Sequence, residues 1–285
     1  MGSHLNAFDK EQSSGQCLGP DSERFSVLRR SIPLSRPRHG WKFNDHYGLG
    51  RRLTLDFLDG GGFAMEPENL LLDQYVLSLS RNRIKPKVCF LPTASGDAEN
   101  YIERFYSSFG KLDAVPSHLP LFGLKVRDIR AFLLEQDVIH VDGGNTLNML
   151  LIWRQRSIDT ILREAAENGT ILCGVSAGSI CWFDSGVTDS LAAHELLPMK
   201  CLGWLPGSNC PHYDSEAGRR PAYHNLIVNG ARPCGYPADD GVGLHFVGTQ
   251  LAQIVSSRVR ARAYAVRLKG LEVIETELLP RYLGQ

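Results

Sequence analysis

Four times between Leu53 and Ser179 a short apolar run stops at small residues. Leu53–Leu58 ends at Gly60-Gly61-Gly62, and Val88–Leu91 at Pro92-Thr93-Ala94-Ser95-Gly96. Val138–Val141 ends at Gly143-Gly144-Asn145-Thr146, and Ile171–Cys173 at Gly174-Val175-Ser176-Ala177-Gly178. Such runs, bounded by Gly and Pro, read as buried strands. Helical spacing fills the gaps between them. Leu70, Leu71, Tyr75, Val76 and Leu79 share one face, and further helices are expected from about Ala98 to Phe109 and from Leu147 to Trp153. Ile158, Ile161, Leu162, Ala165 and Ala166 fall at i, i+3, i+4, i+7 and i+8, stopped by Asn168-Gly169. Strands alternating with helices require right-handed crossovers and a mostly parallel sheet, which makes this an α/β chain. The later runs Gly241–Phe246 and Ala261–Val266 are expected to extend that sheet, partly antiparallel.

In such sheets ligands gather at the carboxyl ends of the strands. All four small-residue loops lie at that end. The fourth carries a serine on a sharp strand-to-helix turn, where its hydroxyl projects above the sheet. The helix that follows offers unpaired N–H groups to a developing oxyanion. The loop at Gly143-Gly144 reads as a helix-capping turn, and also as the source of a second donor, the Gly144 N–H, beside that of Ala177.

A serine nucleophile needs a base and an orienting acid. His212, in Cys210-Pro211-His212-Tyr213-Asp214, follows the serine in a polar stretch that can return over the cleft, with His194, His224 and His245 as competitors. His140 lies mid-strand and reads as a core residue. For the acid, Asp189 closely follows Ser176, and Asp239 and Asp240 open a later strand; Asp184 and Glu216 are weaker candidates.

Composition closes other routes. Lys+Arg and Asp+Glu both number 31, so no net field draws in nucleic acid or an anionic membrane. No apolar run reaches the length of a membrane span, and the first 50 residues lack the apolar stretch of a secretory signal, so a cytoplasmic location is expected. The seven cysteines lack scaffold spacing and read as reduced thiols. Gly60-Gly61-Gly62 has no Lys-Ser/Thr after it, as a phosphate loop would. Neither Cys-x-x-Cys nor His-Glu-x-x-His occurs, so no metal or organic cofactor is expected. Residues 1–50 are rich in Ser, Gly, Pro, Arg and His. With the basic cluster Arg29, Arg30, Arg36 and Arg38, they read as an irregular extension ahead of one catalytic domain over residues 51–285.

Taken in order, Gly143-Gly144-Asn145-Thr146, Gly174-Val175-Ser176-Ala177-Gly178-Ser179, Thr188-Asp189-Ser190 and Pro211-His212-Tyr213-Asp214 with Arg219-Arg220 resemble the peptidase E (aspartyl dipeptidase) and cyanophycinase family of serine peptidases. The likeness runs over roughly residues 53–280. It implies a three-layer α/β sandwich of the class I glutamine amidotransferase type (flavodoxin-like), with serine in place of that fold's cysteine. It implies Ser176 as nucleophile, His212 as base, Gly144 and Ala177 as oxyanion donors, and Asn145 near the substrate. For the acid it implies Asp189, with Asp239 as the alternative. Arg219 or Arg220 would hold an acidic substrate side chain, although the short spacing from His212 departs from the peptidase E pattern. The expected partner is a small peptide, with dipeptides bearing an N-terminal Asp among the candidates, acted on by a monomer or homodimer. A non-catalytic binding module and a glutamine amidotransferase-like amidase are the alternatives on the same fold.

Overall fold

A computed structural model describes residues 54–59, 61–123, 125–193 and 195–284, with no side chains described for residues 54–59. The expected extension 1–50 and His194 lie outside the described residues. In chain order the elements are β1 (Thr54–Asp59), α1 (Leu71–Leu79), β2 (Lys87–Leu91), α2 (Glu99–Phe109), β3 (Val115–His118), α3 (Ile129–Leu134) and β4 (Val138–Val141). Next come α4 (Thr146–Gln155), α5 (Ile158–Asn168), β5 (Ile171–Gly174), α6 (Ala177–Ile180), β6 (Phe183–Thr188), β7 (Leu197–Lys200) and β8 (Leu205–Cys210). The chain closes with α7 (Arg219–Val228), β9 (Gly235–Pro237), β10 (Val242–Val247), β11 (Gln250–Ser256), β12 (Ala263–Lys269), β13 (Glu272–Leu278) and β14 (Arg281–Tyr282).

The main sheet has the order β14-β11-β10-β1-β5-β4-β2-β3. Its centre, β1-β5-β4-β2-β3, is parallel throughout. Strand β10 adds antiparallel to β1, as expected for Gly241–Phe246. The second late run does not join this sheet. Strand β12 pairs with β13 and β9 in a separate six-stranded sheet, β13-β12-β9-β8-β6-β7. Each run was legible as a strand; which sheet it joins depends on partners far away in sequence.

The central strands bury both faces, so alternate residues feed two cores. Cys89, Leu91, Ile139, Val141 and Leu172 pack with Trp153, Leu162 and Trp182 on one side. Val88, Phe90, Val138, Ile171 and Cys173 pack with Phe63, Phe105 and Phe109 on the other. This explains why β2, β4 and β5 read as continuous apolar runs. His140 belongs to the second side. It is buried 4.9 Å from the ring of Phe63, and burial lowers its pKa to about 3, so it packs as a neutral ring. Helix α5 turns Ile158, Leu162, Ala165 and Ala166 inward and ends at Gly169, whose φ of +99° only glycine adopts readily.

The turn after β1 is held by a buried carboxylate. Asp73 Oδ2 accepts the Phe63 N–H at 2.9 Å, and burial pushes the Asp73 pKa from 3.8 to about 7 against that bond. A carboxyl with a raised folded-state pKa binds its proton more tightly when folded. Its contribution is full below about pH 4 and is lost as pH rises through 7. Asp73→Asn removes that titration. In urea unfolding at pH 4 to 8, the variant's stability relative to wild type should climb across the window and level off above it. A flat difference would refute the assignment.

Candidate active site

Strand β5 delivers the chain into a bend that only small residues permit. A Cβ at Gly174 would lie 2.4 Å from the Gly178 carbonyl oxygen, and one at Gly178 would lie 2.5 Å from the Val141 carbonyl oxygen. Between these glycines Ser176 takes φ +53°, ψ −109°, a conformation that costs about 1–3 kcal/mol for a residue with a side chain. Of residues 171–183, Ser176 alone is not buried. The bend therefore lifts one hydroxyl out of an otherwise closed segment. Helix α6 begins at the next residue, and among the described residues neither the Ala177 nor the Gly144 N–H meets an acceptor.

The neighbouring loop comes from β4. Gly143 abuts the serine: a Cβ there would lie 3.3 Å from Ser176 Cβ and 3.9 Å from its Oγ. Gly144, at φ +142°, is held by Asn145 N–H donating to the Ala94 carbonyl at 2.8 Å. Asp142 completes this brace. Its carboxylate accepts the N–H groups of Ala94 and Ser95 at 2.9 and 2.8 Å. Burial still raises its pKa to about 7. Asn145 caps α4, its side chain accepting the Asn148 N–H at 2.8 Å.

The second sheet supplies the imidazole. Strand β8 ends at Cys210 and the chain turns at His212, which has φ +57°. Ser176 and His212 are thus two of the four non-glycine residues with positive φ among those described. The turn is pinned by Tyr213 N–H to the Ala238 carbonyl and Ala238 N–H to the Cys210 carbonyl, each 3.1 Å. His212 Nδ1 donates to Asp240 Oδ1 at 2.7 Å, with both side chains nearly buried. Burial opposes the Asp240 charge. The bond from His212, the His212 charge and the nearby Arg258 outweigh it and hold the carboxyl below its usual range. This segment is tied to the serine turn where Ser179 Oγ, on α6, donates to Asn209 Oδ1 at 2.9 Å.

The structure therefore puts Asp240 on the imidazole, rather than either acid implied by the family likeness. Asp239 faces the other way and accepts the Arg262 N–H at 2.8 Å. Burial raises its pKa to about 6. The two adjacent carboxylates have different partners, and Asp240 is the one that meets His212. Asp189 is exposed in the turn after β6. That turn docks elsewhere: Ser190 Oγ accepts the Thr146 N–H at 2.9 Å and lies 2.7 Å from Thr188 Oγ1.

Both arginines are already engaged. Arg219 is buried, with Nε and Nη2 on the Glu216 carboxylate at 2.7 and 3.3 Å and Nη1 on the Val187 carbonyl at 3.2 Å. Arg220 donates to Glu275 at 2.9 Å and stacks on Tyr213 and Tyr264, 4.5 and 4.6 Å from the ring centres. The competing histidines have other duties. His224 Nε2 lies 2.9 Å from both Tyr213 Oη and Glu275. His245 Nδ1 lies 2.7 Å from Tyr75 Oη. Sequence reading missed Asp142, the residue just ahead of the Gly143-Gly144 pair; a carboxylate at a strand end before two glycines was the available signal. Among the described residues no cluster of three His, Cys, Asp or Glu side chains could hold a metal, and no helix is long and apolar enough to cross a membrane.

Comparison with known proteins identifies the family and the fold. The model of Peptidase family S51 matches residues 57–254. An uncharacterized peptidase, YgaJ of Bacillus subtilis, is 56% identical over 227 residues, covering 80% of this chain and 97% of the relative. Two solved structures share the fold. One is a putative peptidase E protein from Listeria monocytogenes, with TM-score 0.53, 17% identity, and 80% and 100% of the two chains covered. The other is a peptidase from an acI-B1 actinobacterium, with TM-score 0.61, 22% identity, and 81% and 96% covered. With its strand-to-helix serine turn and its α/β architecture, the chain belongs to peptidase family S51.

Proposed function

We propose that this protein is a serine peptidase that cleaves short peptides through an acyl-enzyme on Ser176. The observation carrying the proposal is that two residues with strained backbone conformations have complementary surroundings. Ser176 is presented alone above a closed turn, and His212 is oriented by a buried, ionised Asp240. With Nδ1–H committed to Asp240, His212 Nε2 carries the lone pair and accepts the Ser176 hydroxyl proton as Oγ attacks the peptide carbonyl. The N–H groups of Gly144 and Ala177 receive the oxyanion, worth roughly 3 kcal/mol per donor in the transition state. The tetrahedral species collapses as His212 gives its proton to the leaving amine. Water, deprotonated by the same imidazole, then releases the acid and restores the serine. Asp240 stabilises the imidazolium formed on the way.

The substrate class we propose is a short peptide, without selection for an acidic side chain through Arg219 or Arg220. Their donors are already bound to Glu216, Val187 and Glu275. An operating bidentate arginine clamp would favour an N-terminal Asp by about 10²-fold or more. We expect kcat/KM for Asp-Leu and Ala-Leu to differ by less than that; a larger preference for Asp-Leu would restore the clamp.

Ser176→Ala and His212→Ala should each lower kcat by about 10⁴-fold or more, and Ser176→Ala should abolish labelling by a fluorophosphonate. Near-normal turnover in either variant overturns the assignment. The choice of acid separates cleanly. Asp240→Asn should cost about 10³-fold in kcat, whereas Asp189→Asn and Asp239→Asn should stay within about tenfold of wild type. The opposite ranking would return the acid to Asp189 or Asp239.

A further inference from the structure

Arg232 is only 4% exposed, yet among the described residues no carboxylate reaches it. Its Nη1 donates to the Met199 carbonyl at 3.3 Å, while Nε and Nη2 are buried without an acceptor. Burial lowers its pKa to about 10, which leaves it charged at neutral pH. The neighbours that could balance it are neutral there: burial pushes the Cys201 thiol up to about 12 and drives the Tyr223 phenol higher still. A buried guanidinium without a counter-charge costs several kcal/mol, so the fold gains from any anion that fits.

A second orphaned donor lies on the same side of the sheet. Ser185 of β6 sits between Lys200 of β7 and Ser208 of β8, and residues directly opposed across strands share a face. Ser208 identifies that face as the one under α7, because its Oγ lies 2.8 Å from Tyr223 Oη. The Ser208 Oγ also reaches the carbonyl of Pro233, the residue after Arg232, at 2.6 Å. Ser185 Oγ is buried there without a partner. We propose that Arg232 and Ser185 form a buried binding site for a small monoanion of halide size, distinct from the serine turn. Two N–H donors and one O–H with a single positive charge suit a weakly hydrated monoanion better than a multiply charged one. Such an ion would join β6, which leads into the Thr188–Ser190 turn, to the segment that runs from α7 into β9.

The test uses the full chain and sodium salts at constant ionic strength, with gluconate balancing chloride or bromide. The thermal midpoint of the wild type should rise saturably by roughly 3 °C or more in chloride and bromide. The rise should vanish in Arg232→Met and shrink in Ser185→Val. A bromide-soaked crystal should show an anomalous peak against Arg232 Nε and Nη2, and this arm decides the matter alone if Arg232→Met does not fold. Equal midpoints in bromide and gluconate, or no bromide peak at Arg232, overturns the proposal. Neither readout depends on peptidase activity, so the site and the mechanism can fail separately.

Discussion

The Val141 carbonyl oxygen lies only 2.5 Å from where a side chain on residue 178 would begin. That crowding fixes the turn after β5. Gly178 must press against the end of β4, and its N–H reaches the Asp142 carbonyl at 3.0 Å. Gly174 must pass under Gly178 in turn. The chain between them has no room to relax, so Ser176 is left in the only orientation that clears both neighbours. Its strain is held by the packing of two parallel strands and a four-residue helix, a buried assembly that does not deform gradually. The same crowding brings Gly143 against the serine, so the serine turn and the glycine loop after β4 have one structural origin.

The histidine arises from a different layer, and the problem there is electrostatic. Asp214, Asp239 and Asp240 crowd one short region, and three like charges beside an imidazole would spoil its basicity control. Each carboxylate is given its own partner. Asp214 accepts the Asp240 N–H at 2.9 Å, Asp239 accepts the Arg262 N–H, and only Asp240 meets His212. Asp239, raised to about 6, adds less charge near the pair than an ordinary surface aspartate would. The network Tyr213–Glu275–His224–Arg220 then ties the histidine turn to α7 and β13, spending an arginine that sequence order alone would assign to substrate.

What could be read from the chain follows from the range of the interactions involved. The strand runs, the helix faces of α2 and α5 and the serine turn are written in neighbouring residues, and they appear where spacing places them. His140 was legible as core because it sits inside an apolar strand. The joining of β12 to a second sheet was not legible, since both sheets offer an alternating strand an equally apolar face. Asp240 could be listed beside Asp239 but not chosen from it. The choice rests on which of two adjacent carboxylates in a turn faces the imidazole, and that is decided by partners distant in sequence, Arg262 for Asp239 and His212 for Asp240. The engagement of Arg219 was hidden for a related reason: Glu216 lies only three residues away, but whether it binds that arginine or solvent is decided by the burial of α7 against Val187 and Tyr213.

These constraints bear on what the cleft can recognise. In the mechanism we propose, main-chain donors at Gly144 and Ala177 would read the carbonyl common to all peptides. The side chains that could read a particular substrate are occupied: Asn145 by its helix cap, Arg219 by Glu216 and Arg220 by Glu275. Freeing Arg219 would break an ion pair in which the guanidinium is largely buried, leaving a charge without compensation unless the incoming carboxylate took over the same geometry. Acidic selection would therefore have to displace Glu216, a half-exposed residue on the segment that follows His212. A substrate able to do that would also move the turn that holds the base, so specificity and catalysis would be coupled at that single pair.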